Sequence, residues 1–484
     1  MVEESQSAIE ERERKQFIKM TQTRISRLII GLGIPTTLSM MVTSLYNLAD
    51  SYFVSLLGND AVTAAASNLL ALMSIIQSVG FTFGMGSGAI VSRRLGKRDR
   101  AGANEVFSSS LFVSCLCGVF IMVFGFAFLT PLMRLFGAKA ADVLEYSKQY
   151  AVYLLLAAPF MCMSFVLNNV LRAEGKAFLS MIGLVAGAVL NVVLDPILIF
   201  AANMGISGAA IATCISQLTS FFILLFMFLS GKTITRFSPR SISRQAAIYG
   251  EVLATGFPSF CRQILASVCT LFLNSASYDC GVAYYGTEDG GIAAQAALGL
   301  VNKVFMLAFS TALGIGQGYQ PVLGYNYSAK RFDRVKSAYV FTLTFSTIVM
   351  TVFASVCAIV SPYIMKAFSL SDAATEIGAL SLRLQCIAMP LLPLNFMAGI
   401  TYQSVGNKAL AAVLSVSRQG MFYIPAVLIL PGIFGLRGVQ SSQTVADFCA
   451  FFFAIPFTVL FFKDLKKNQA LADIKQENAT VENA

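Results

Sequence analysis

The chain has 484 residues, of which 56% are hydrophobic and 12% charged, and its mean hydropathy is +0.71. These values exclude a soluble core under a polar surface and point to a polytopic membrane protein with no soluble domain of useful size. The formal charge of +10 would suit a nucleic-acid partner only if the cations formed one patch. They are divided instead among segments that flank apolar runs, so no nucleic-acid partner is expected.

In chain order, twelve stretches are apolar over the length needed to cross roughly 30 Å of hydrocarbon at about 1.5 Å per residue. They cover 28–56, 61–91, 105–131, 148–171, 177–201, 207–231, 246–277, 290–319, 337–362, 376–404, 408–431 and 439–463. The organisation that follows is a cytoplasmic N-terminal segment (1–27), an N-lobe of helices 1–6 (28–231), a cytoplasmic inter-lobe loop (232–245), a C-lobe of helices 7–12 (246–463) and a cytoplasmic tail (464–484). The polar segment ahead of the first span reads as a frayed tail. No short apolar region with a small-residue cleavage site opens the chain, so the first span is expected to remain as an uncleaved anchor.

Orientation follows from the loops. Lys and Arg crowd the N-terminus (Arg12, Arg14, Lys15, Lys19, Arg24, Arg27), the loop after the second span (Arg93, Arg94, Lys97, Arg98, Arg100) and the central loop (Lys232, Arg236, Arg240, Arg244). They crowd again after the eighth span (Lys330, Arg331, Arg334, Lys336) and in the tail (Lys463, Lys466, Lys467). With twelve spans all of these fall on one side. The opposite loops, around Gly58-Asn59-Asp60 and 279–289, carry almost no basic residues, so the basic side is expected in the cytoplasm of a cell with this chain in its plasma (inner) membrane.

All ten cysteines fall in or at the ends of apolar runs, with no paired C-x-x-C spacing, and the chain has no histidine. Neither disulfides nor a zinc site are expected. The absence of histidine also removes the usual near-neutral proton carrier, so a proton relay would have to use carboxylates.

The chain repeats itself. Gly84-Met85-Gly86 is echoed by Gly316-Gln317-Gly318, and Gly96-Lys97-Arg98 by Ala329-Lys330-Arg331. Arg172-Ala173-Glu174-Gly175-Lys176 is answered by Gln403 to Lys408, and Gly205-Ile206-Ser207-Gly208 by Gly435-Leu436-Arg437-Gly438, all at offsets of 230 to 233 residues. Six spans return the chain to its starting side. The fold class is therefore all-α integral membrane, with twelve transmembrane helices in two parallel six-helix repeats about a pseudo-two-fold axis along the membrane normal, an arrangement typical of alternating-access carriers. Each glycine taken singly is expected to serve close helix packing.

Asp195 lies in the apolar run Val189 to Leu198, and an ionisable group there marks a functional site. Asp50 stands eight residues before Gly58, Asp195 about seven before the outer end of its helix, and Thr213 about six after the outer start of the next. Each is thus roughly 10 Å below the outer surface at about 1.5 Å per residue. Asn191 shares the face of Asp195, as Tyr46 and Asn47 stand close to Asp50. Pro196 deletes a backbone hydrogen bond and frees the carbonyl of Val192. Such a layer of oxygens can hold Na+, a hard cation, and equally one carboxyl can keep a proton beside a like charge. The alternative is an Asp satisfied by hydroxyls that merely pins helices.

The pattern of Pro35 followed by Tyr46-Asn47-Leu48-Ala49-Asp50, the turn Leu171-Arg172-Ala173-Glu174-Gly175, Asn191 to Asp195-Pro196, and Gly318-Tyr319-Gln320-Pro321 to Gly324-Tyr325-Asn326 resembles the multidrug and toxic compound extrusion (MATE) family over roughly residues 25 to 463. The resemblance implies a secondary transporter, not an enzyme: an H+- or Na+-coupled antiporter that expels organic cations or amphipathic drugs. It implies a coupling-ion site, and sodium ligands in the Na+ case, at Asp50, Asn191, Asp195 and Thr213, with the helix bending near Pro35 and a second hinge at Pro196. No cofactor is expected beyond the coupling ion, and the partners are drug-like small molecules and the lipid bilayer, with the chain acting as a monomer.

Tyr46, Asn47, Asn68, Arg262 and Lys303 are candidates for lining the substrate cavity. Arg262, Lys303 and Arg418 fall near mid-membrane in the second half, whereas the carboxylates Glu251 and Asp447 are expected nearer the surfaces. Arg418 is expected to be satisfied by helix-end carbonyls, and Lys303 either contacts substrate or tunes the carboxylates. The rival function is a lipid-linked oligosaccharide flippase of related architecture, which would welcome a cationic cavity but has less need of the Asp50 and Asp195 pair.

Overall fold

A segment crossing hydrocarbon must satisfy its backbone N–H and C=O groups internally, which leaves helices as the solution for long apolar runs. The computed structural model describes residues 6–57, 60–138, 140–367 and 372–482, and every regular element among them is helical. The first half comprises α1 (Gln6–Gln22), α2 (Ile25–Ser55), α3 (Asp60–Gly96), α4 (Arg100–Ala127), α5 (Leu129–Leu135), α6 (Ala141–Ala173), α7 (Ala177–Pro196) and α8 (Gly205–Leu229). The second comprises α9 (Ala246–Tyr285), α10 (Glu288–Ser328), α11 (Phe332–Ala367), α12 (Asp372–Ala388), α13 (Leu392–Val405), α14 (Lys408–Val416), α15 (Ile424–Phe434) and α16 (Leu436–Glu482). Among the described residues twelve helical spans are long and apolar enough to cross a membrane. They match the twelve expected stretches. The tenth joins α12 to α13 through a 3-10 turn at Met389–Leu391, beside Pro390 and Pro393, and the eleventh joins α14 to α15 through a π-turn at Ser417–Tyr423.

The repeat is visible in the backbone. Left-handed residues recur in pairs: Arg98 (φ 60°) with Lys330 (φ 56°), Gly175 (φ 76°) with Gly406 (φ 94°), and Gly205 (φ 55°) with Gly435 (φ 56°). The first two pairs follow the ends of corresponding helices, where a left-handed residue closes the last turn, and the third lies at the junction into the sixth span of each half. The fifth span of each half also carries a π-turn, at Ile197–Ala201 directly after Pro196 and at Ser417–Tyr423.

The echoed glycines explain how the halves meet. A Cβ on Gly84 would run into Phe165 and Asn169 of α6, and one on Gly316 into Phe396 and Ile400 of α13, so the first glycine of each motif packs within its own half. A Cβ on Gly86 would strike Val252 and Gly256 of α9, and one on Gly318 would lie 2.6 Å from the Cα of Gly33 on α2. The second glycine therefore lets the second helix of each half rest on the backbone of the first helix of the other.

The face that carries α1 and the 230–245 linker holds the basic clusters, and its polar groups are tied down. Glu174, fully buried, accepts hydrogen bonds from the N–H groups of Ile234 (2.9 Å) and Thr235 (2.8 Å) and from the Thr235 hydroxyl (2.5 Å), with Lys176 Nζ at 2.7 Å. The linker continues onto α4, where Asn104, Ser108 and Ser109 accept from the backbone of Arg236, Ser238 and Ser243. The segment expected to be a frayed tail is instead α1, with Met20 fully buried. Its mean polarity conceals this: Gln16 donates to the Glu174 carbonyl (2.6 Å), Asn326 donates to the Met20 carbonyl (3.0 Å), and the Arg98 guanidinium lies 4.4 Å from the centre of the Phe17 ring.

Candidate ion and substrate site

The site lies where α2, α6, α7 and α8 of the first half converge. Small residues bring α7 and α8 together: Gly187 lies against Ser216 and Ser220 of α8, and Gly183 against Leu224. At that separation Asn191, one turn beyond Gly187, donates from Nδ2 to Asp195 Oδ1 (3.3 Å) and to Thr213 Oγ1 on α8 (3.4 Å). Asp195 is fully buried, and Asn191 and Thr213 are nearly so. Asp50 on α2 is half-buried and within electrostatic reach of Asp195. Of the four residues expected to form one layer, Asn191, Asp195 and Thr213 are joined by hydrogen bonds, and Asp50 lies on α2, the helix packed against α7.

Three of their oxygens receive no hydrogen bond from the protein: Asp50 Oδ1, Asp195 Oδ2 and Asn191 Oδ1. Acceptors gathered at depth without donors are costly unless a proton or a cation meets them. Oxygen-only ligation suits a hard cation such as Na+, and a carboxylate pair suits a shared proton. Among the described residues no basic side chain pairs with either carboxylate.

Beside this cluster is a cavity of about 110 Å³, whose wall includes Tyr46, Asn47, Asn191 and Thr213. The Asp195 carboxylate thus lies one hydrogen bond behind the wall. Two residues that sequence reasoning passed over complete the cluster. Tyr150 of α6 is buried beside Thr213, and Gln217 of α8 donates to the Tyr46 hydroxyl (3.5 Å). In sequence Tyr150 is one hydroxyl in an aromatic-rich run, with nothing to single it out. Arg172, quoted above only as part of a turn, is buried at the other end of the cavity. It donates to Asn169 (3.0 Å) and, across to the second half, to Gln317 of α10.

The remaining candidates are dispersed. Asn68, on α3, packs beneath Gly137 at the far face, away from this cavity. Lys303 is exposed on α10. Arg262 belongs to a separate pocket in the second half, with its guanidinium 5.5 Å from the centre of the Phe396 ring. Pro35 sits inside an unbroken α2, where the hydroxyl of the adjacent Thr36 donates to the Gly314 carbonyl of α10 (2.6 Å). Two expectations for the second half need correction. Arg418 pairs with a carboxylate, not with helix-end carbonyls: its Nε is 2.7 Å from Asp447 Oδ1, which also accepts from Gln443 (2.9 Å). Asp447, at the depth of Arg418 and almost fully buried, is accordingly not a near-surface group. Glu251 does lie toward the basic face, 3.1 Å from Arg93 of the first half.

A family model described as MatE matches residues 35–197 and 286–429. "Multidrug export protein MepA" of Staphylococcus haemolyticus is 26% identical over 439 residues, covering 90% of this chain and 94% of that protein. Two solved structures are similar at a TM-score of 0.86. One is described as "Crystal structure of MATE in complex with MaL6", at 28% identity over 94% of this chain and 99% of that one. The other is the outward-facing conformation of a multidrug resistance MATE family transporter of the MOP superfamily, at 27% identity over 93% and 98%. With twelve spans in two repeats and the family pattern running through both, the chain belongs to the MATE family of secondary transporters and is not an enzyme.

Proposed function

We propose that this chain exports drug-like organic cations or amphipathic drugs in exchange for H+ or Na+, by alternating access of its two halves. It does so as a monomer in the plasma membrane, with the basic face and both termini in the cytoplasm. The observation that carries the reading is the group of oxygens on Asp50, Asp195 and Asn191 that are buried with no donor or cation meeting them among the described residues. The names of the MepA relatives support the substrate class, and the lysine and arginine bias of the loops supports the orientation.

With the site open to the far face, H+ or Na+ settles on Asp195 and Asp50, with Asn191 and Thr213 contributing oxygens in the sodium case. Because Asp50 is on α2 and Asp195 on α7, neutralising the pair removes a repulsion between the two helices. Both then repack, with Pro35 and Pro196 as the points where a helix can bend. The repacking narrows the cavity lined by Tyr46 and Asn47 and disfavours substrate. Once the ion leaves on the cytoplasmic side, the carboxylates regain their charge and a cation can enter. One charge crossing about 100 mV supplies about 2.3 kcal/mol, nearly fiftyfold in concentration.

The test is uptake of a fluorescent organic cation into everted vesicles, where export from the cytoplasmic face runs inward, under imposed H+ or Na+ gradients, comparing wild type with Asp195→Asn. Gradient-driven transport is expected in the wild type and its loss in the variant, with the effective gradient naming the ion. Equal uptake with both gradients collapsed would sink the coupling, and no transport of any cation would favour the lipid-linked oligosaccharide flippase.

A further inference from the structure

The two halves differ in which charge their interiors favour. The first holds Asp50 and Asp195, with Arg172 at the far end of the cavity bonded to amides; the corresponding region of the second holds Arg262 and Arg418, with Asp447 beside Arg418 and Lys303 exposed on α10. Arg418 is neutralised by Asp447. Arg262 is not: among the described residues no carboxylate stands within ion-pair distance, and its described contact is the face of Phe396. A guanidinium at this depth is costly without an anion, and an aromatic face offsets only part of the cost.

Both arginines open onto one small pocket between α9, α10, α13 and the π-turn Ser417–Tyr423. It has room for about 20 Å³, enough for one species of roughly water to halide size. Gln419 also lines it, and the buried Gln419 Oε1 receives no hydrogen bond; with the amide reversed, Nε2 would donate into the same space. The π-turn that presents Arg418 and Gln419 occupies the same span as the one that follows Asp195-Pro196 in the first half, and such turns gather at binding sites.

We propose that this pocket is an anion site, taking one singly charged group of halide or carboxylate size. The Arg262 guanidinium holds it, and the Arg418 N–H groups not bonded to Asp447 serve as further donors. The group is either a free inorganic anion or the carboxylate of a transported molecule, and the chemistry of recognition is the same. In either case the second half contributes a pole complementary to the carboxylates of the first.

Binding is tested on the purified full-length protein without any transport assay, by thermal unfolding in potassium chloride against potassium gluconate at equal ionic strength. Gluconate is too large for the pocket, and potassium keeps sodium away from the first half. A saturable rise in Tm in chloride is expected, as for any ligand that binds only the folded state. It should vanish in Arg262→Gln and shift to higher chloride in Arg262→Lys, which keeps the charge but loses the fork; the lysine variant serves alone if the glutamine variant does not fold. A second arm compares transport of an organic cation bearing a carboxylate with transport of its methyl ester. Preference for the acid, suppressed by chloride, identifies the substrate's own carboxylate as occupant; a chloride response without that preference identifies a free anion. Equal Tm in both salts with no discrimination between acid and ester overturns the proposal, as does a chloride response unchanged by substitution at Arg262.

Discussion

Two aspartates at depth have opposite surroundings, and that decides what removing their charge should do. Asp447 is held by Arg418 Nε at 2.7 Å and by Gln443 at 2.9 Å, while the Arg418 guanidinium lies 5.1 Å and 5.3 Å from the ring centres of Phe305 and Phe309. Breaking such a pair leaves a buried cation uncompensated at a cost of about 3–5 kcal/mol, whereas removing both charges costs far less. Asp447→Asn is therefore expected to lower Tm sharply, with Asp447→Asn/Arg418→Gln recovering most of the loss in the same unfolding assay. Among the described residues Asp195 accepts from Asn191 alone, so its amide variant should fold as well as the wild type and fail only in transport. Asp195 was legible in the sequence because a carboxylate amid Val and Leu has no innocent reading. The pairing of Asp447 was not, because its partner lies 29 residues away on another helix and spacing carries no information about that approach.

At the scale of elements, the second helix of each half lies against the opposite half at glycines, among them the second glycine of each echoed motif. Gly318 rests on Gly33, and Gly86 on Val252 and Gly256. Gly318→Val should force α10 away from α2, abolishing efflux while Gly250→Ala, where a Cβ meets nothing within 4 Å, leaves it intact; efflux rate and Tm of the two variants compare them directly. The motif was readable as a repeat, and the twelve spans from hydropathy alone. Its division of labour, one glycine inward and one across, was not, because periodicity places a residue on a face without saying which helix that face meets. The π-turn after Pro196 was anticipated only as a lost hydrogen bond, and its counterpart at Ser417–Tyr423 contains no proline to announce it.

For the whole molecule, the hydrogen bonds between halves run from Ser44–Ser310 (2.6 Å) and Gln77–Gln263 (3.4 Å) at mid-depth, through Arg172–Gln317, to the Arg93–Glu251 pair at the basic face. The Arg93 guanidinium also presses on Gly406, so one side chain of the first half engages two helices of the second. Alternating access requires these links to part. Glu251→Gln is expected to favour opening at the basic face, raising the labelling rate of a cysteine placed at Ser328, beside Arg93 in the same basic vestibule, by severalfold. The exchanged pair Arg93→Glu/Glu251→Arg should return the rate toward that of wild type. Sequence made the two-fold plan clear but not the depth at which the halves are fastened, which depends on contacts 145 or more residues apart.

The N-terminal helix spans the line along which those halves must separate. Gln16 grips the first half at Glu174, while the Met20 carbonyl is held by Asn326, and the Thr23 carbonyl by Arg334, in the second. A helix clamped at both ends cannot stretch, so each transport cycle must either flex it or free one clamp. In engineering terms α1 is a strain gauge already mounted on the machine: a spectroscopic label on its solvent side would report every stroke, and a bulky fusion placed ahead of it would load the hinge rather than dangle from a loose end.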